Sequence, residues 1–320
     1  MNTKHLVDSE LLPMLDMFPT FAFSNETLPQ IREGFDQMMA QGAAMAPAFP
    51  DIEVSERHVP GSVGSPDVRV LVYIPKNVAR PMPGLLYIHG GGYIIGSPEG
   101  EDLQVKQIVT EIGCAVVSVD YRLAPETSHP GPVEDCYAAL KWLYTNTSDL
   151  GVDPNRLAIG GASAGGGLTA GLGLLTRDRG EIPLAFQLLI YPMLDDRTAA
   201  SADPHPHTGE FVWTKEANHF GWSSLLGQEP GSAGVSPYAA AARAESLAGL
   251  PPTYINVGAL DLFLEENLEY ARRLMRAGVP TELHVYPAAF HGFNLMAEAK
   301  VSQAFTRDML MALRRALQSK

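Results

Sequence analysis

The chain of 320 residues carries only two cysteines, Cys114 and Cys136. Neither has a Cys-x-x-Cys partner, so neither a disulfide nor a metal site is the expected use of these residues. Each sits in an apolar or helical pattern, so buried free thiols are expected. Positive charge is also scarce: 23 Lys and Arg stand against 36 Asp and Glu, a formal net charge of −13. Nucleic acid and anionic membrane are bound through an excess of Lys and Arg, so neither is an expected partner. No apolar run reaches the ~18–20 residues of a membrane-spanning helix. The first ten residues show no basic stretch leading into an apolar one, and a cytoplasmic location is expected. Solenoid repeats and low-complexity tracts are lacking too. His205, His207 and His219 have no carboxylate or cysteine at ligand spacing, so no metal site is expected.

Hydrophobic residues make up 46% and charged residues 18% of the chain, enough for a large core without covalent staples. Short β-like runs occur at Ile52–Val59, Val68–Pro75, Gly84–His89, Cys114–Val119, Leu157–Gly160, Ala185–Tyr191, Thr253–Val257 and Glu282–Tyr286. Helical patterns stand out at Pro132–Tyr144, Ala164–Arg177, Leu262–Ala277 and Ala304–Leu317. Apolar strands with helices between them predict an α/β fold with a mostly parallel sheet covered on both faces. The first two runs, joined by the turn-like Pro60–Pro66, predict an antiparallel hairpin at one edge. Residues 1–47 read as short amphipathic helices, and 195–237 as an excursion from the sheet. The expected organisation is an N-terminal helical cap (1–47) and a core (48–320), with 195–237 contributing to the cap. Met14, Met17, Phe18, Phe21, Met38 and Met39 are candidates either to line a pocket or merely to pack the cap onto the core.

The chemistry concentrates in Gly161-Ala162-Ser163-Ala164-Gly165, a G-x-S-x-G pattern with a strand before it and a helix after it. Such a turn exposes the serine hydroxyl in a strained conformation, and Gly161 and Gly165 leave room for the neighbouring strand and helix. It is not a phosphate loop, because Gly166 stands where the lysine would be. A second motif, His89-Gly90-Gly91-Gly92, follows another buried strand. Acyl transfer passes through a tetrahedral oxyanion that needs preorganised donors. The N–H groups of Gly91, Gly92 and Ala164 are the candidates, with Gly90 shaping the loop and His89 a structural hydrogen-bonder rather than a base. The acid and base should follow in the order Asp, His. Asp261 ends a strand and precedes a helix, and His291 lies in the loop leaving the next strand. Glu265 and Glu266 compete for the acid's role, but their place in the helix should turn them away from the strand end. His284 lies within its strand and reads as a packing or surface residue. Ser163 would be the nucleophile, His291 the base and Asp261 the group that fixes the imidazole tautomer.

With these motifs, Asp120-Tyr-Arg-Leu-Ala-Pro-Glu126 and His291-Gly-Phe293, the chain resembles the hormone-sensitive-lipase family of esterases from about residue 68 onward. The resemblance implies an α/β-hydrolase fold with an eight-stranded sheet and a helical cap. It also implies hydrolysis of short-acyl esters, a small-molecule ester as partner, no cofactor, and a homodimer as a common state. Pro125–Pro132 and Leu184–Arg197 are most similar to bacterial esterases acting on acetylated aryl or alkaloid alcohols. Arg122 and Glu126 are expected to form a buried ion pair beneath the site. The chain departs from the family's Gly-Asp-Ser-Ala-Gly-Gly-Asn at Ala162 and Gly167, which puts the family's hydrogen bonds around the serine in doubt. An amidase or lactonase using the same three residues, and a ligand receptor that has lost catalysis, are the competing readings.

Overall fold

The computed structural model describes residues 2–17, 21–45 and 47–318, with the side chains of Met17 and 43–45 excepted. The chain opens with helices α1 (Leu12–Met17) and α2 (Leu28–Met45). The strands are β1 (Ile52–Val59), β2 (Val68–Pro75), β3 (Met82–Ile88), β4 (Ala115–Asp120), β5 (Val152–Ala162), β6 (Phe186–Ile190), β7 (Thr253–Gly258) and β8 (Thr281–Tyr286). They form one eight-stranded sheet in the order β1-β2-β4-β3-β5-β6-β7-β8. β1 and β2 pair antiparallel, as do β2 and β4, and the remaining pairs are parallel. The edge hairpin expected from the sequence is therefore present. β1 presents Glu53, Glu56, Arg57 and His58 to solvent, and charge on an edge strand discourages pairing with another chain.

The helices of the core are α3 (Asp102–Ile112), α4 (Gly131–Thr145), α5 (Thr147–Leu150), α6 (Ala164–Arg179), α7 (Arg197–Ala200), α8 (Lys215–Leu226), α9 (Leu264–Arg276) and α10 (Lys300–Leu317). β3 and β6 are buried along their whole length because helices cover both faces. Alternate side chains separate the two cores. Leu86 and Ile88 join Val117, Ile159 and the side of α4 and α6. Leu85 and Tyr87 join Val116, Ala158 and the side of α10, with Phe305 and Leu313. Helix α3 was not among the patterns singled out above. Its apolar positions Leu103, Val105, Ile108, Val109 and Ile112 do recur at helical spacing, but only Val105, Ile108 and Val109 are buried.

Cys114 and Cys136 are buried and free, and burial pushes the Cys114 thiol up to about 12. Arg122 and Glu126 do not pair with each other. Arg122 forms a bidentate pair with Asp135 of α4, with Nη2 2.7 Å from Oδ1 and Nε 2.8 Å from Oδ2. Glu126 instead accepts from Arg32 of α2 at 2.7 and 2.8 Å, its side chain 62% exposed. The helix that follows Arg122 carries the better-buried carboxylate over it, and Glu126 is left to tie α2 down. Among the described residues no helix is long and apolar enough to cross a membrane.

Candidate active site

Topology decides where the chemistry gathers. From β3 the chain moves to β4 on one side and then to β5 on the other, so loops leaving β3 and β5 diverge at a switch point. Ile88 stands opposite Gly161 in the ladder, which brings the exits of the two strands together. At the other side of β6, Gly258 stands opposite Tyr286, so the loops after β7 and β8 also leave side by side.

Ser163 sits between β5 and α6 at φ 57° and ψ −119°, a conformation that costs a non-glycine residue about 1–3 kcal/mol. It is held by its own backbone: its N–H donates to Ile190 O at 2.9 Å, and its carbonyl accepts from Gly167 and Met193 at 2.9 and 3.0 Å. A Cβ on Gly165 would lie 2.1 Å from the Ile88 carbonyl oxygen, so no larger residue fits between the helix and β3.

The structure brings the three expected side chains into one line. Ser163 Oγ donates to His291 Nε2 at 2.9 Å, and His291 Nδ1 donates to Asp261 Oδ2 at 2.8 Å. Asp261 is fully buried, and its other oxygen accepts the Phe263 N–H at 2.9 Å. β7 ends at Gly258 and α9 begins at Leu264, so Asp261 lies in the connecting turn rather than at the strand's last residue. The imidazole is boxed by two ring edges, Tyr191 at 4.8 Å and Phe263 at 5.1 Å between centroids.

Gly91 and Gly92 have φ of 113° and 60°, and neither N–H has a protein acceptor among the described residues. Gly92 also lies against the Trp213 indole, where a Cβ would come within 2.0 Å of Cη2. The N–H of Ala164 begins α6, where no helical carbonyl precedes it. His89 is buried, stacks on Tyr121 at 4.2 Å, and donates from Nδ1 to the Gly90 carbonyl at 2.7 Å. Desolvation lowers its pKa to about 4, so it is neutral and has no proton-accepting role near pH 7.

The departure at 167 has a structural counterpart. A Cβ on Gly167 would meet the Met193 carbonyl at 2.1 Å and the Tyr93 hydroxyl at 2.5 Å. Tyr93 Oη fills that space and donates to Met193 O at 3.0 Å. Glu266 does not approach His291. It is buried under the loop after β6, where it accepts from Leu194 N at 2.6 Å and pairs with Thr198 Oγ1, and burial pushes its carboxyl well above the usual range. His284 pairs with Glu282 at 2.8 Å on the sheet's edge strand. No cluster able to hold a metal ion occurs among the described residues.

A cleft of about 160 Å³ opens on Ser163 and His291. Phe21 and Met39 line it, joined by Phe23, Phe35, Trp213 and Leu295. Met14 packs into the core beneath α10 instead, Met38 lies outside the lining, and the side chains of Met17 and Phe18 lie outside the described residues. Sequence reasoning missed Tyr191, Trp213 and Phe35. Trp213 could have been flagged as one of the two Trp residues, with Trp222, of the 195–237 excursion, whereas nothing local marks Tyr191 or Phe35.

A family model described as alpha/beta hydrolase fold matches residues 85–295. The chain belongs to the hormone-sensitive-lipase-like α/β hydrolases. This hydrolase is similar to Carboxylesterase NlhH of Mycobacterium tuberculosis, with 32% identity over 312 residues that span 97% of this chain and 96% of the relative. Among solved structures, Bacterial Heroin Esterase superposes with a TM-score of 0.94 at 42% identity, covering 99% of this hydrolase and 100% of that protein. Esterase LipW from Mycobacterium marinum follows with 0.86 at 36% identity, covering 98% and 96%.

Proposed function

We propose that this hydrolase cleaves short-acyl carboxylic esters through an acyl-enzyme formed on Ser163. The observation that carries the reading is the continuous chain from Ser163 Oγ through His291 to Asp261, at 2.9 and 2.8 Å. Ser163 Oγ attacks the ester carbonyl while its proton passes to His291 Nε2. The N–H groups of Gly91, Gly92 and Ala164 stabilise the oxyanion. The imidazolium then protonates the departing alcohol oxygen as the C–O bond breaks. Water, deprotonated by the same imidazole, attacks the acyl-enzyme and releases the acid and free Ser163. Asp261 keeps the proton on Nδ1, so that Nε2 remains free to act as the base.

The cleft's small volume and aromatic walls support short acyl groups. The cap is formed by residues 1–47 with 195–237, over a core of 48–320. Contacts across it support this division: Phe23 lies 5.8 Å from Trp213 and 6.2 Å from Phe220, and Thr3 donates to Glu210 at 2.6 Å. A cytoplasmic location and a homodimer complete the proposal, the latter open to light scattering. Ser163→Ala should abolish p-nitrophenyl acetate and butyrate hydrolysis while circular dichroism stays native. Retained turnover would mean another nucleophile. A panel from C2 to C12 esters should show kcat/KM falling beyond butyrate, and a maximum at long chains would refute the short-acyl preference.

A further inference from the structure

A second carboxylate faces the cleft, and among the described residues no cation neutralises it. Glu101 lines the cavity that opens on Ser163. A Cβ built on Gly90 would lie 3.5 Å from Ser163 Cβ and 3.7 Å from Glu101 Oε1, so nucleophile and carboxylate flank the same glycine. The hydrogen bonds Glu101 makes are long: the Gly90 N–H donates to Oε1 at 3.4 Å and the Tyr87 hydroxyl to Oε2 at 3.4 Å. Among the described residues no Lys or Arg lines the cleft and Glu101 has no ion-pair partner. Burial raises its carboxyl above the ordinary value, opposed only by those two donors.

A negative charge here works against the chemistry. The tetrahedral intermediate places an oxyanion at the adjoining Gly91 and Gly92, and a carboxylate beside that loop repels it. A substrate that brings its own positive charge removes the repulsion and offsets the cost of burying Glu101. The rest of the cleft suits such a group. Phe21, Phe23, Phe35 and Trp213 line it, and the Phe23 ring stands 5.8 Å from both Phe21 and Trp213. Aromatic faces combined with a carboxylate are the chemistry that recognises alkylammonium ions.

We propose that Glu101 and the aromatic wall form a subsite for an alkylammonium group carried by the ester substrate. This rests on the Ser163 reading above and deepens it by naming the substrate class, an ester bearing a tertiary or quaternary amine. The test uses two esters of the same shape, acetylcholine and 3,3-dimethylbutyl acetate, which differ in a charged nitrogen against a neutral carbon. The wild-type kcat/KM should favour the cationic ester by about tenfold or more. Glu101→Gln should bring the ratio towards one, slowing the cationic ester and, with the repulsion of the oxyanion relieved, not slowing the neutral one. Should that variant not fold, inhibition of p-nitrophenyl acetate hydrolysis by choline against 3,3-dimethylbutan-1-ol reads the same preference in the wild type. Equal turnover of the two esters together with equal inhibition by the two alcohols overturns the subsite. An unchanged ratio in folded Glu101→Gln removes Glu101 from it. In either case p-nitrophenyl acetate turnover that depends on Ser163 leaves the ester-hydrolase reading standing, and its loss in the wild type would overturn both.

Discussion

Replacing Asp261 by asparagine should cost about 10⁴-fold in kcat, about 5 kcal/mol of transition-state stabilisation. The geometry sets the direction of this effect. Oδ1 of Asp261 accepts the Phe263 N–H at 2.9 Å in a fully buried turn. An asparagine side chain must keep its oxygen there, since the reverse orientation would bury two donors face to face. Its NH₂ therefore points at His291 Nδ1, which must become the acceptor. The ring proton moves to Nε2, so the nitrogen 2.9 Å from Ser163 Oγ no longer accepts the hydroxyl proton. The shape of the site is unchanged, and thermal unfolding should shift by only a few degrees. Steady-state hydrolysis of p-nitrophenyl acetate measures the loss, and a fluorophosphonate should label Ser163 correspondingly slowly. A fall of less than about tenfold in a natively folded variant would refute the tautomer argument. So would a comparable fall in Glu265→Gln, which would move the acid's role elsewhere.

Gly92→Ala should lower kcat by about 10²–10³-fold, because its Cβ would meet Trp213 and displace the N–H proposed as an oxyanion donor. Adding Trp213→Phe should recover only part of that loss, since the positive φ remains unfavourable for alanine; full recovery or no initial loss would contradict the assignment. Arg122→Leu strands the buried Asp135 carboxylate and should cost about 3–5 kcal/mol in urea unfolding. Glu126→Gln removes an exposed partner of Arg32 and should cost about 1 kcal/mol or less, and the opposite ranking would refute the pairing described here. The carboxyl of Glu266 is raised by burial, so the folded state holds its proton to higher pH than the unfolded one. Its contribution is full below the ordinary carboxylate range and declines as pH rises through the folded value. Melting temperatures of Glu266→Gln should therefore fall less with rising pH than those of the wild type, and parallel curves would contradict this.

What could be read before any coordinates follows from steric necessity. Gly165 must pass the Ile88 carbonyl, and Gly92 must lie against an indole, so those positions are restricted to glycine and stand out as motifs. Asp261 and His291 could be found because adjacent parallel strands release their loops at the same edge. The partner of Arg122 could not. Glu126 is four residues away, yet the carboxylate that reaches the guanidinium comes from a helix whose docking is a tertiary fact. The same holds for the N-terminal methionines. Met14 turns into the core and Met39 into the cleft, and the helical period shows that a face exists without showing what it meets. Glu101 looks like any acid at a helix start until β3 and β5 put Gly90 between it and Ser163.

The most direct test of the central claim is mass spectrometry of the protein after treatment with a fluorophosphonate. One adduct per chain is expected, on the peptide containing Ser163, with esterase activity falling in step with labelling. Full activity with Ser163 unmodified, or an adduct on another residue that tracks the activity, would contradict the account.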